Sequence, residues 1–171
     1  MTRLCLNMIV KNESAIITRL FDSVSALIDC YCICDTGSTD NTIQVIKEYF
    51  LKKNIPGKIV HEDFVDFEHN RNFALRACDD MDTDYILLLD ADMILNISPS
   101  LDVQKYKSDL KYHIAHYIFQ GNAYHHYKNV RIVKKSPDIC YWGVTHEYVQ
   151  LPGDATYGTG DPKDIFINDV G

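Results

Sequence analysis

"CYCICDTGSTDNT", residues 30–42, sets three cysteines at alternate positions ahead of a turn crowded with small polar residues. Side chains alternate faces along a strand, so Cys30, Cys32 and Cys34 share one face while Tyr31 and Ile33 take the other. A strand apolar on both faces belongs inside a sheet covered on both sides. A structural zinc site needs ligand pairs separated by two to four residues, and Cys5, Cys78 and Cys140 stand alone in the sequence. The thiols therefore read as small core hydrophobes, and the chemistry is expected in the polar segment that follows them.

Working outward, short apolar runs alternate with helical patterns. Leu4 to Val10 reads as a strand, Ser14 to Leu27 as a helix, and 29–34 as the second strand. Asp40 is expected to cap a helix that Pro56-Gly57 stops; Lys58 to His61 is a third strand, Glu68 to Cys78 a third helix, and Tyr85 to Leu89 a fourth strand. This order predicts a mostly parallel α/β sheet with helices on both faces. From about Tyr112 the texture changes: Tyr112 to Phe119, Tyr127 to Val133, Tyr141 to Val149 and Ile165 to Ile167 are strand-like without long helices between them. The second half should add antiparallel or mixed strands.

The chain has 171 residues, 46% hydrophobic and 24% charged, which suits a single domain with a real core. No apolar run approaches the roughly 20 residues of a membrane span, and the N-terminus turns polar too soon for a signal peptide, so a soluble, cytoplasmic protein with reduced thiols is expected. A net charge of −7 argues against nucleic acid as a partner. An acidic protein holding an anionic substrate needs a cation between them. The stop at "DIFINDVG", just past an apolar run, reads as a cut within a longer polypeptide.

In parallel α/β sheets ligands bind beyond the carboxyl ends of the strands. Three such ends are polar here: "VKNES" at 10–14, "DTGSTDNT" at 35–42 and "DADM" at 90–93. Asp90 and Asp92 point the same way if the chain stays extended, which makes a paired carboxylate site for Mg2+ or Mn2+, hard cations that commonly clamp phosphates.

"MIVKNES", "DTGSTDNT", "HNRNFAL", "LLLDADM" and "WGVTHEY", in that order over nearly all of the chain, resemble the family 2 glycosyltransferases of the GT-A fold. The resemblance implies sugar transfer with inversion from a nucleoside diphosphate donor, commonly a UDP-sugar, to a glycan, lipid-linked or protein acceptor. It implies a nucleotide-binding half at 1–93, an acceptor-side half at 94–171, and Mn2+ or Mg2+ on the diphosphate. By position, Asp35 matches the acidic residue that meets the nucleotide base, with Asn12 and Glu13 beside it. Arg71 matches a basic residue near base and phosphates, Asp90 the first DxD carboxylate near ribose and metal, and Asp92 the direct metal ligand. Asp169 or Asn168 stands where the family often recruits a third metal ligand, usually histidine.

Inversion by direct displacement needs a base for the acceptor proton. The resemblance places the acceptor-side carboxylate within 140–148, where Glu147 is the candidate base and His146 can act as a base or a metal ligand; adjacent strand residues face opposite ways, so one of them should face the sugar. Trp142 either stacks on the acceptor or fills core. Arg131 is placed to neutralise phosphate, whereas Lys134 and Lys135 read as a solvated strand edge.

Three other readings compete. A haloacid-dehalogenase-type phosphatase shares the two aspartates but wants Thr or Val where Ile94 stands, and its motif on the first strand. A nucleotidyltransferase needs a glycine-rich loop after the first strand, where "VKNES" has no glycine and Gly158 to Gly160 come too late. A non-catalytic sugar- or metal-binding module would bind donor without turnover.

Overall fold

The computed structural model describes residues 1–122 and 124–170. A nine-stranded mixed sheet runs in the order β3-β2-β1-β4-β7-β6-β11-β5, with β10 paired to β6. The first four strands are β1 (Leu4–Val10), β2 (Cys30–Asp35), β3 (Gly57–His61) and β4 (Tyr85–Leu88), mutually parallel where they pair. Then follow β5 (Met93–Ile97), β6 (Ala115–Gly121) and β7 (His126–Lys134), with β7 antiparallel to β4 and β6. β10 (Tyr157–Thr159) and β11 (Ile165–Asp169) both run parallel to β6. A separate two-stranded hairpin joins β8 (Cys140–Trp142) to β9 (Tyr148–Gln150).

The alternation read in the sequence sorts the core. Leu4, Leu6, Met8, Tyr31, Ile33 and Leu87 face the helices α1 (Ile17–Val24) and α2 (Thr42–Lys53), where Phe50 stacks on Tyr31 with ring centroids 4.0 Å apart. Cys5, Cys30, Cys32 and Ile86 face α3 (Phe67–Arg76) and, with Cys78 and Leu75, make the second core. Cys34 is also fully buried, so the opening cysteines are packing residues on the face expected of them. Asn7 lies among these thiols, 3% exposed, and its side-chain amide donates to the Cys32 carbonyl at 3.0 Å and the Ala74 carbonyl at 2.9 Å. One amide thereby ties β1, β2 and α3 together.

Several boundaries differ from the sequence reading. The first helix begins at Ile17 rather than Ser14, because the polar residues ahead of it are bonded elsewhere: Asn12, at φ 55°, accepts from the Thr39 amide, and Ser14 donates to Asp40. Helix α2 begins one residue later than an Asp40 cap implies, yet Asp40 still accepts from the Thr42 amide at 3.0 Å. β5, β10 and the short helix α4 (Val103–Asp109) were not anticipated. Tyr141 to Val149 is two three-residue strands around a turn rather than one strand, with Gly143 at φ +107°. Lys134 ends an interior strand, not an edge, and Lys135 donates to the Met81 carbonyl at 2.6 Å.

Removing the Asn7 amide leaves two buried carbonyls short of a donor. Asn7→Ala is expected to lower stability by about 2–3 kcal/mol, against about 1 kcal/mol for Cys32→Ala. Urea denaturation of the two variants checks the order.

Candidate active site

The polar ends of β1, β2 and β4 meet at one edge of the sheet around a cavity of about 520 Å3. Lys11, Glu13, Arg71, Asp90 and Asp92 supply its charge, two cations against three carboxylates, and Phe64 and Phe67 its apolar rim. The chain does not stay extended through the two aspartates. The Met93 amide donates to the Asp90 carbonyl at 3.1 Å, a tight turn that reverses β4 toward β5, yet both carboxylates still line the same cavity. Asp92 is exposed and Asp90 partly buried.

Asp90 is held by Arg71, whose Nη2 lies 2.8 Å from Asp90 Oδ1. The same guanidinium donates from Nε to Glu147 Oε1 at 2.7 Å. Its carbon lies 5.9 Å from the Phe67 ring centre and 5.7 Å from that of Tyr141. Burial opposes the Arg71 charge, but Asp90, Tyr141 and Glu147 outweigh it and strengthen its hold on the proton. Glu147 lies with Arg71 and Asp90 in a second cavity of about 200 Å3, beside Tyr148, Asn129 and Arg131. Arg71 and Asp90 are therefore the wall between two compartments.

His146 is exposed in the turn between β8 and β9 and lines neither compartment. The expectation of opposite-facing strand neighbours fails because residues 143–147 are a turn, from which Glu147 alone reaches the site. Trp142 is 57% exposed and not core.

Asp169 ends β11, next to the site: the Val170 amide donates to the Asp92 carbonyl at 3.1 Å. Burial raises the Asp169 carboxyl above its usual range; Arg131 pulls it down, and Asp92 and Asp90 push it up. Glu13 is raised too, by burial first and then by Asp92, Asp40 and Asp90. Like-charged carboxylates thus crowd one end of the sheet. Arg131 backs them, donating to the Leu88 carbonyl at 3.3 Å and to Gln120, whose amide reaches Asp169 at 3.4 Å.

Asp35 and Asn12 do not line the cavity in this structure. Asp35, 2% exposed, accepts from the Gly37 and Ser38 amides at 3.0 and 3.1 Å, and Asn12 accepts from Thr39 at 2.7 Å. Both fix the 36–40 loop, from which Thr36 reaches the cavity. Phe64, Phe67 and Tyr148 were missed as site residues. Aromatic residues in the polar stretch "DFVDFEH", 63–69, were the available signal for the first two.

Oxygen donors of this kind suit a hard divalent cation. Among the described residues no three carboxylate, imidazole or thiol side chains stand close enough to enclose an ion by themselves. Asp92 would then hold such an ion jointly with water and substrate oxygens, the usual arrangement for a cation that gives up its water reluctantly.

Because Glu13 and Asp169 have raised folded-state pKa values, the stability they contribute is present at low pH and lost as pH rises through those values. Asp92→Asn removes one of the repelling charges. It is expected to melt above the parent at about pH 7 and low salt, with the gap closing toward about pH 4 as the carboxyls protonate. Thermal melts across that range without added metal check the sign.

Comparison with known proteins gives this geometry its context. The profile described as glycosyl transferase family 2 matches residues 5–120. A TPR repeat-containing protein of Synechococcus elongatus is 30% identical over 153 residues, covering 87% of this chain and 36% of that protein. The S. aureus TarS 1–349 structure in complex with UDP superimposes with a TM-score of 0.56 at 19% identity, over 72% of this chain and 37% of that one. The longer S. aureus TarS structure gives 0.53 at 18% identity, over 72% and 23%. The chain thus spans little more than a third of the relative and of TarS 1–349. Its curled, mostly parallel sheet is the GT-A arrangement, and with the profile covering most of its length the chain belongs to the family 2 glycosyltransferases.

Proposed function

We propose that this domain transfers a sugar, with inversion, from a nucleoside diphosphate donor to an acceptor hydroxyl, and that Glu147 takes the acceptor's proton. The observation that carries the reading is the Asp90–Arg71–Glu147 bridge, which sets a carboxylate in the smaller compartment against the aspartate pair in the larger one. In the reaction the acceptor oxygen bonds to the anomeric carbon, the bond from that carbon to the diphosphate oxygen breaks, and the proton passes to Glu147. One carboxylate on the face opposite the leaving group is what a single displacement requires.

The larger cavity takes the donor. Asp92, completed by water and diphosphate oxygens and with Asp90 and Asp169 at the same end of the sheet, would hold Mn2+ or Mg2+, which when bound would supply positive charge for the leaving diphosphate. Three carboxylates against two cations make a wall that repels a diphosphate on its own, so the donor needs such an ion. Uracil is the preferred base, since TarS, which shares the fold, was solved with UDP. Asp35 and Asn12 act on the nucleotide through the loop they hold, with Glu13 on the cavity wall. The rim aromatics Phe64 and Phe67 would lie against base or sugar. The acceptor is a glycan, a lipid-linked sugar or a protein, met by residues 94–171.

Among the described residues no helix is long and apolar enough to cross a membrane. Six free cysteines fit a reducing, cytoplasmic setting.

A panel of UDP- and GDP-sugars with Mn2+, read by calorimetry and by NMR of the product's anomeric configuration, tests the reading. Asp92→Ala is expected to abolish metal-dependent nucleotide binding, and undiminished affinity would sink the DxD assignment. Glu147→Gln should slow transfer from bound donor by about 10²–10⁴-fold, and His146→Ala should stay near the parent rate. The reverse pattern would move the base to His146.

A further inference from the structure

The polar face of α3 grips the β8–β9 hairpin at three points within little more than one turn. Glu68 accepts from the Gly143 amide at 2.7 Å, Asn72 exchanges hydrogen bonds with the Tyr141 backbone at 2.7 and 2.9 Å, and Arg71 holds Glu147. Among the described residues the hairpin makes no ladder with the main sheet, and Trp142, Val144, Thr145, His146 and Tyr148 along it are exposed. Two of the three grips are neutral or involve backbone. The third is an ion pair whose cation also answers to Asp90, on the wall of the larger cavity.

Arg71 therefore has two anions on the protein and, once a diphosphate enters beside Asp90, a third on the ligand. A planar guanidinium binds carboxylate and phosphate with the same fork of donors, so these anions compete. We propose that Arg71 is a positioning residue that keeps Glu147 tied down until a nucleoside diphosphate draws its guanidinium away, so that filling the donor cavity releases the carboxylate for the acceptor. This rests on reading the larger cavity as the donor site and Glu147 as the base.

Coupling of this kind is reciprocal in binding free energy: what releases Glu147 must bind more tightly when Glu147 no longer competes. The consequence runs against ordinary expectation for a site residue. Removing the charge of Glu147 should improve nucleotide binding while it stops transfer. Trp142, the one tryptophan of the chain, sits on β8 and reports on the hairpin.

The test measures binding of UDP and of GDP, each with Mn2+, by calorimetry and by Trp142 emission. Glu147→Gln is expected to bind the preferred nucleotide more tightly than the parent by about fivefold or more, the lower end of ordinary coupling. Arg71→Gln should bind it more weakly, and in that background Glu147→Gln should add nothing. Nucleotide should shift the parent's Trp142 emission, while free Arg71→Gln should already show the shifted emission and respond little. Thermal melts establish that each variant folds, and Arg71→Lys, which keeps charge but loses the fork, replaces Arg71→Gln if that variant does not. Equal nucleotide affinity of parent and Glu147→Gln, with transfer still lost in the latter, would overturn the coupling and leave the base assignment standing. Failure of the parent to bind either nucleotide would overturn the donor-site reading and the coupling together.

Discussion

One guanidinium carries much of this active site. Arg71 sits between Asp90, just past β4, and Glu147 at the end of the β8–β9 turn, residues 57 positions apart that no strand pairing among the described residues brings together. Without a cation at that point two partly buried carboxylates would repel each other across a thin wall with neither charge compensated. The position of Arg71 on α3 follows from the apolar side of that helix. Leu75 and Cys78 pack onto β1 and β2, which turns Glu68, Arg71 and Asn72 toward the hairpin. The thiol core that opened the sequence reading is thus also what aims the site's central cation.

The first half of the chain was legible because each of its elements announces itself locally. β1, β2 and β4 are apolar on both faces, and the covered sheet they require fixes which ends open into loops. The aspartate pair was found by the same logic even though the chain between the two residues turns instead of running straight. Beyond residue 93 the determinants are long-range. β5 is a strand because β11 pairs with it from Ile165↔Ile97 to Asp169↔Met93, a partner about 70 residues away. Strands of three residues, such as β8, β9 and β10, are too short to show a period of two. Gly143, in left-handed backbone, was the one local sign that 141–149 must turn, and it decides that Glu147 rather than His146 faces inward.

The carboxylates are not evenly supported. Asp90 has Arg71, and Asp169 has Gln120 with Arg131 behind it, whereas Asp92 is exposed and Glu13 has its pKa raised first by burial and then by three aspartates. A sheet end meant only to be stable would not gather these charges, since nothing in the core requires them and Glu13 and Asp169 are held above their usual range by burial and by their carboxylate neighbours. Groups held against their electrostatic preference are more often found where a ligand restores the balance. Arg71 and Arg131 lie on the inner side, bonded to Asp90 and to the Leu88 carbonyl, which leaves exposed Lys11 with Glu13 and Asp92 on the wall of the open cavity. An anion alone would worsen that imbalance and a lone cation would leave its own water shell unsatisfied by so few fixed ligands. On the proposed reading a cation arriving with a diphosphate would answer both, and the sugar that diphosphate carries would lie beside Arg71, whose other partner is Glu147.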